Sequence, residues 1–595
     1  MLHFCGSRPV QWGSRQFWPR LLSSSILLSC PVAAVAQSAA QIVPPTREEV
    51  TRPVAPQPVN RPPQLEVEGG IERAPCALDG PEYKSIHFVL SAVEFDGLQG
   101  MTRDQLASTY APFVGRDVPI SVVCEIRDRA GTILRDAGYI AAVQVPEQKI
   151  ADGVVRFRVL MAHVTQVRVR GDATGAERTI AGYLGKIAGQ PVFNRYEAER
   201  YLLLASDLPG YVVRLTLRPA GTVPGDVIGD VTVQRTTAYA DFNVQNGGSR
   251  ELGRWGGLLR GQIFGLTGLG DRTSLSVFST SDLKEQQTVQ LAHDFHLGPE
   301  GLSISDAFTY AWAKPSLGPD AHVIAHTLLN TFEVGYPLVR REAQTIRASA
   351  GLDLVNQDVE FNGIDLTRDR LRVAFLRLGV DAADTSFTDP RYSTLDPPWR
   401  VTALLELRQG LHALGATGDD VGDVGDVPPS RVEGHSDATV LRATAYGEYR
   451  PIAKLTFALG ARAQYSHQPL LSFEEFSAGN YTAGRGYDPG ALLGDSGFGT
   501  QAEVRFGRRI PASARKPAVE GYGFWDHAQV HNRLVTLPGS DHLDSVGGGA
   551  RMNFDRFTVD ASLAVPLTRV GFDNKRPDPR FLLSLTSRLW PWNYQ

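Results

Sequence analysis

The pattern in this 595-residue chain that points most sharply to chemistry is Gly484-Arg485-Gly486-Tyr487, followed by Asp488-Pro489-Gly490. Two glycines around an arginine allow tight backbone folding while one cation projects. A strand-like run then covers 498–506, and beyond it comes a segment containing Phe524-Trp525-Asp526. On extended backbone side chains alternate, so Glu520, Tyr522, Phe524, Asp526 and Ala528 share one face. The chemistry these residue types offer is ion pairing.

Signals for bond-making chemistry are poor. Gly494-Asp495-Ser496-Gly497 has the residue order found at the nucleophile of trypsin-like proteases, but no His-Asp framework accompanies it, and it reads as a turn. The chain has no His-Glu-x-x-His zinc motif, no Gly-x-Ser-x-Gly elbow and no Gly-x-x-x-x-Gly-Lys-Ser/Thr phosphate loop. No enzyme, cofactor or metal site is expected, and ATP cannot be argued as an energy source. Residues 411–437 hold Gly418-Asp419-Asp420 and a repeated Val-Gly-Asp, carboxylates of a kind that bind calcium. Their spacing fits neither an EF-hand nor a nonapeptide repeat, so an extracellular loop is expected. A net charge of -4 gives no basic field for nucleic acid.

Arg8, Arg15 and Arg20 precede an apolar stretch over 21–35, and Ala34-Val35-Ala36 fits a small-x-small cleavage site. A signal peptide over 1–36 is therefore expected. The stretch is shorter than the ~20 apolar residues a spanning helix needs. No later run has that length, but barrel strands alternate and leave only a weak hydropathy signal. Of four cysteines, Cys5 and Cys30 lie in this leader. Cys76 and Cys124 remain, and two cysteines in an oxidising compartment predict one disulfide between them.

Residues 37–84 open with a proline-rich linker, extended because proline fixes φ and lacks a donor. A short helix near 46–52 is expected within it. Two α+β units follow in one order. The first has a strand over 86–95, a helix from Thr102, a helix over 121–137 and strands over 140–145 and 154–160. The second has a strand over 164–169, helices over 177–187 and 195–206, and strands over 212–217 and 230–234. A β-α-α-β-β order given twice is an internal repeat. From about Tyr239 period-2 alternation takes over, for example in 346–354, 441–450, 455–465 and 557–565. Charged residues recur on one face. A sandwich and a membrane barrel both alternate, with opposite faces outward; the leader, the length and the number of segments favour the barrel. Roughly 360 residues at about 22 per strand and loop give about 16 strands.

With these elements in place the chain resembles the transporters of two-partner secretion, the TpsB group that exports haemolysins and filamentous haemagglutinins (the ShlB/FhaC/HecB type), in one superfamily with the barrel-assembly protein BamA. The resemblance covers essentially the whole mature chain. It implies a plug segment within the linker, POTRA domains over 85–161 and 162–236, and a sixteen-stranded transmembrane antiparallel β-barrel over 237–595. It also implies a loop around 477–497 folded into the lumen. The family's loop motif V-R-G-Y/F is matched by Arg485, Gly486 and Tyr487, with Gly484 in place of the valine. Its x-x-D-x-G motif appears as Phe524-Trp525-Asp526-His527-Ala528, with Ala528 in place of the glycine. The resemblance implies that Arg485 pairs with Asp526, that the partner is a secreted exoprotein with an N-terminal secretion domain, and that export needs no ATP. A barrel in outer-membrane lipid, one chain per unit, is expected. The alternative is a BamA-like insertase; two POTRA units and a proline-rich linker favour secretion. Barrels of this kind end on an aromatic residue, which Trp590 supplies ahead of a tail over 591–595.

Overall fold

A computed structural model describes residues 45–51, 65–67, 76, 78, 80–83, 85–150, 152–221, 223–316, 321–418, 426–511, 516–534, 539–571 and 575–591. The expected leader, most of the linker and the last four residues lie outside these. Among the described residues sixteen antiparallel strands close into a barrel. They are β1 Ala238–Gln245, β2 Gly256–Phe264, β3 Arg272–Thr280, β4 Gln286–Leu297, β5 Leu302–Ala313, β6 Val323–Arg340, β7 Gln344–Phe361, β8 Ile364–Ala383, β9 Trp399–Gly410, β10 Thr439–Ile452, β11 Leu455–Ser466, β12 Ser496–Gly507, β13 Ala518–Asn532, β14 Gly539–Phe554, β15 Phe557–Pro566 and β16 Arg580–Trp590. Neighbours in sequence pair, and β16 returns to β1, with Ala240 opposite Trp590 and Gln245 opposite Ser584. Closure leaves no open sheet edge, which lipid would not tolerate. No described helix is long and apolar enough to cross a membrane.

Burial decides between the two architectures that alternate. On β11 the apolar face is turned out, with Phe457 45% and Leu459 55% exposed, while Thr456 (3%) and Gln464 (6%) face in. A sandwich would have the reverse. The lumen is polar and the outer belt apolar, as lipid requires.

Strands β6, β7 and β8 are the longest, and toward their extracellular ends the pattern inverts. Val355, Val359, Leu371 and Val373 are buried on the inner face there. On the outer face Asp358 pairs with Arg368 and Arg370 at 3.2 and 2.9 Å. The wall above this level is wetted outside and packed inside, so it has left the membrane.

One helix, α1 Arg47–Thr51, plugs the lumen, and α2 Val122–Asp136, α3 Glu177–Ala188 and α4 Arg195–Ser206 build the periplasmic units; the helix expected from Thr102 is a 3-10 turn, Arg103–Leu106, run into a single α turn, Ala107–Tyr110. In the first periplasmic unit, α2 covers a sheet of Ala92–Asp96, Val154–Met161 and Ala141–Gln144. Val93, Ile126, Val155 and Phe157 form its core. Cys124 on α2 is bonded to Cys76, with their Cα atoms 5.9 Å apart. The single strand expected over 86–95 is two. His87–Val89 pairs with Asp117–Pro119, and Ala92–Asp96 joins the main sheet. The break falls at Leu90, fully buried and bonded through its backbone to Arg116 and Gly115.

The second unit packs α3 and α4 on a sheet ordered Leu65–Val67, Tyr211–Pro219, Asp226–Arg235 and His163–Gly171. Its outermost strand comes from the linker: Leu65 stands opposite Leu215 and Val67 opposite Leu217 in a parallel pair. The unit docks on the periplasmic turns of the barrel. Arg340 at the end of β6 grips Asp207 at 2.7 and 2.8 Å. Arg200 on α4 donates to the Pro337 carbonyl at 3.2 Å. Lys186 on α3 lies 2.7 Å from Glu300, whose hydrogen bond and charge hold the Lys186 ammonium above its usual range.

Candidate functional site

The connection from β11 to β12 turns into the lumen. It forms a small ribbon, Phe476–Ala478 paired with Leu492–Gly494, whose tip carries Arg485. Gly484 has φ +120°, and a Cβ there would come 2.5 Å from Leu543 Cδ1. The chain needs glycine at this position, which explains the departure from valine. A Cβ on Gly486 would lie 2.9 Å from the Pro566 nitrogen and 3.0 Å from Ser545 Cβ. The tip is therefore pressed onto the wall as only glycine permits.

That contact brings Arg485 to Asp526. Arg485 Nη2 lies 2.6 Å from Asp526 Oδ1 and Nε lies 3.0 Å from Oδ2, a two-pronged grip. The Arg485 backbone N–H also donates to Asp526 Oδ2 at 2.9 Å. Asp526 has no exposed surface. Its face on β13 alternates as extended backbone requires, with Glu520, Tyr522, Phe524 and Ala528 buried beside it and Trp525 turned out. The guanidinium sits 3.6 Å above the Phe524 ring, a cation–π contact. Ala528 packs with Tyr487, Phe476 and Leu543, so its methyl fills a loop-to-wall contact. Tyr487 is fully buried; its hydroxyl donates to the Asp544 carbonyl at 2.8 Å and accepts from the Thr568 amide at 2.9 Å.

Sequence reasoning missed the second carboxylate. Arg485 Nη1 lies 2.5 Å from Glu503 Oε1 on β12. Glu503 in turn holds Arg551 at 3.0 Å and Arg505 at 2.7 Å. Arg551 continues to Asp560 at 2.7 Å, and Arg505 to Glu448 at 2.9 Å. The tip thus plugs into an ion-pair ladder that crosses the wall from β10 to β15. The usable signal was parity: Glu503 and Arg505 share the charged face of the 498–506 run.

A second cluster holds the root of the loop and a piece of the linker. Arg408, fully buried on β9, lies 2.7 Å from Glu474 and 2.9 Å from Asp353. Arg442 reaches the same Glu474 at 3.0 Å. Helix α1 sits against this hub inside the lumen. Arg47 lies 3.5 Å from Asp353 and 3.7 Å from Glu474, and Glu48 accepts from Arg462 at 2.8 Å. Val50 packs on Leu371 and Phe473. The helix starts as its residues dictate: Thr46 Oγ1 accepts from the Glu49 amide at 3.2 Å and Glu49 Oε2 accepts from the Thr46 amide at 3.0 Å. That is a reciprocal cap.

Asp495 of the Gly-Asp-Ser-Gly run is buried and paired with Arg431 at 2.5 Å, at the junction where the loop becomes β12. Residues 419–425 of the Gly/Asp stretch lie outside the described residues.

Residues 230–551, more than half of the chain, match the family described as "Haemolysin secretion/activation protein ShlB/FhaC/HecB". Residues 88–161 match "POTRA domain, ShlB-type". No curated protein matches the chain. Among solved structures, CdiB from Escherichia coli is similar at TM-score 0.71 and 15% identity, over 87% of this chain and 92% of that one. CdiB from Acinetobacter baumannii is similar at TM-score 0.62 and 16% identity, over 93% and 96%. At such identities these two likenesses show a shared fold.

Proposed function

The chain belongs to the haemolysin secretion/activation family ShlB/FhaC/HecB, and on that premise we propose that it receives one partner exoprotein in the periplasm and passes it, unfolded, through its own barrel. It is an outer-membrane transporter of the two-partner secretion type, with POTRA structure on the periplasmic side. The finer steps are our reading. The observation that carries them is what fills the lumen. The loop tip and α1 are both held by ion pairs to the wall. Such ion pairs exchange for water or for a passing chain, and only small apolar contacts, such as Val50 on Phe473 and Tyr487 on Leu543, have to part with them. The periplasmic sheets supply backbone donors and acceptors at their edges, which suit an extended polypeptide. No phosphate-binding loop occurs in the sequence, so folding of the cargo outside supplies the drive.

The test is a deletion of 85–236 in the full-length protein, offered a candidate exoprotein that carries an N-terminal secretion domain. A barrel should still form in the outer membrane while capture of the exoprotein's N-terminal secretion domain is lost. Unchanged capture would overturn the reading. An insertase would instead show its defect in other outer-membrane barrels when the chain is deleted.

A further inference from the structure

The outer face of the barrel carries a polar row where the strands otherwise present apolar side chains. Along β5 the outward series runs Ile304, Asp306, Phe308; along β4 it runs Leu291, His293, Phe295. Asp306 and His293 stand directly opposite one another in the antiparallel pair. His293 is likewise opposite Thr273 on β3, with 2.9 Å between Thr273 Oγ1 and His293 Nδ1. Asn330 on β6 donates to Asp306 at 3.0 Å. The neighbours face lipid: Leu291 is 50% and Phe308 40% exposed. The inward residues of the same strands are those of an ordinary lumen, such as Arg272 and Asp294, paired at 2.7 Å.

An ionisable group facing hydrocarbon is costly, and charges on the lipid face weaken a barrel most near the middle of the belt. One amide donor does not neutralise a carboxylate. A row of this kind therefore belongs against a polar partner inside the membrane. Its chemistry is self-complementary, an acid beside a base. A two-fold axis along the membrane normal, passing between β4 and β5, sets His293 of each copy beside Asp306 of the other. Closed two-fold pairing is also the commonest way identical chains associate. We propose that two copies of this chain associate side by side in the outer membrane through the Thr273–His293–Asp306–Asn330 row. Each barrel keeps its own lumen, so the association is lateral and departs from the expectation of a solitary barrel.

The test uses the full-length protein in outer-membrane vesicles. Leu291→Cys places one thiol beside the axis, and Ala461→Cys on β11 places one far from it. The described cysteines, Cys76 and Cys124, are already paired. A short bis-maleimide should give a cross-linked dimer with Leu291→Cys and none with Ala461→Cys. Adding Asp306→Leu and Asn330→Leu to Leu291→Cys should lower the dimer at least ten-fold while heat-modifiable barrel is retained. The milder Asp306→Asn should lower it at least three-fold and guards against a folding defect in the double leucine variant. No dimer from Leu291→Cys, equal dimer from both thiols, or a dimer indifferent to all these changes would overturn the proposal. So would monomeric protein whose row retains a lipid headgroup in native mass spectrometry.

Discussion

Arg485 meets Asp526 through its guanidinium and also through its own backbone amide. One carboxylate therefore both neutralises the cation and shapes the loop tip. Arg485→Lys keeps the charge and the amide contact but gives up the fork, and a point charge cannot grip Asp526 and Glu503 together. It should reduce secretion several-fold with normal barrel insertion. Asp526→Asn keeps an acceptor for the amide but leaves Arg485 with Glu503 alone. It should be less damaging than Asp526→Ala. Secreted exoprotein per inserted transporter checks both rankings.

Arg47 links α1 to Asp353 and Glu474, two acids already held by Arg408. Arg47→Ala leaves those acids paired, so the barrel should be unaffected while α1 loses one of its two ion-pair tethers, Glu48 keeping Arg462. Conductance of single proteins in planar bilayers should rise, with more frequent openings. Arg408→Ala should behave differently, because it removes the fully buried cation that Glu474 and Asp353 share and leaves Asp353 only the longer ion pair with Arg47; removing one partner of a buried pair costs about 3–5 kcal/mol. Heat-modifiability on gels should show a weakened barrel for Arg408→Ala only.

The Cys76–Cys124 bond ties the linker to α2. Replacing both cysteines by serine should destabilise the first periplasmic unit by about 2–5 kcal/mol, the usual range for a native disulfide in a small domain. Limited proteolysis of the full chain should then cut within the region matched as POTRA, and cutting should be unchanged in the barrel.

The linker strand Leu65–Val67 covers the Tyr211–Pro219 edge of the second unit. Glu66→Pro removes a backbone donor and should release that strand. Amide exchange over 211–217 should rise, and capture of the secretion domain should strengthen if this edge receives cargo. Weaker capture would mean that the linker strand helps to build the binding surface.

Period-2 alternation made strands such as β11 and β15 legible, because every second residue along them faces lipid. Parity also put Asp526 on one face of β13 with Glu520, Tyr522, Phe524 and Ala528. Which face pointed inward was not legible, since a sandwich and a membrane barrel write the same alternation. The Arg408, Glu474 and Asp353 hub was hidden for another reason. Its members lie on β9, on the inward loop and on β7, and only closure of the barrel brings them together. The reciprocal cap of Thr46 and Glu49 was readable as a helix start, but nothing local says that α1 lies in the lumen. Asp306 had no sequence signal at all, because one polar residue on an apolar face is not periodic.

On the proposed function, the Arg485–Asp526 clamp serves passage of a partner protein through this barrel. The most direct measurement is exoprotein in the medium for Arg485→Ala, Asp526→Ala and the double variant, each normalised to transporter in the outer membrane. Residues that share one contact give non-additive effects. Both single variants should secrete poorly, and the double variant should be no worse than the poorer single one. Wild-type secretion by Arg485→Ala would show that the clamp has no part in passage, and strictly additive defects would deny that the two residues act as partners.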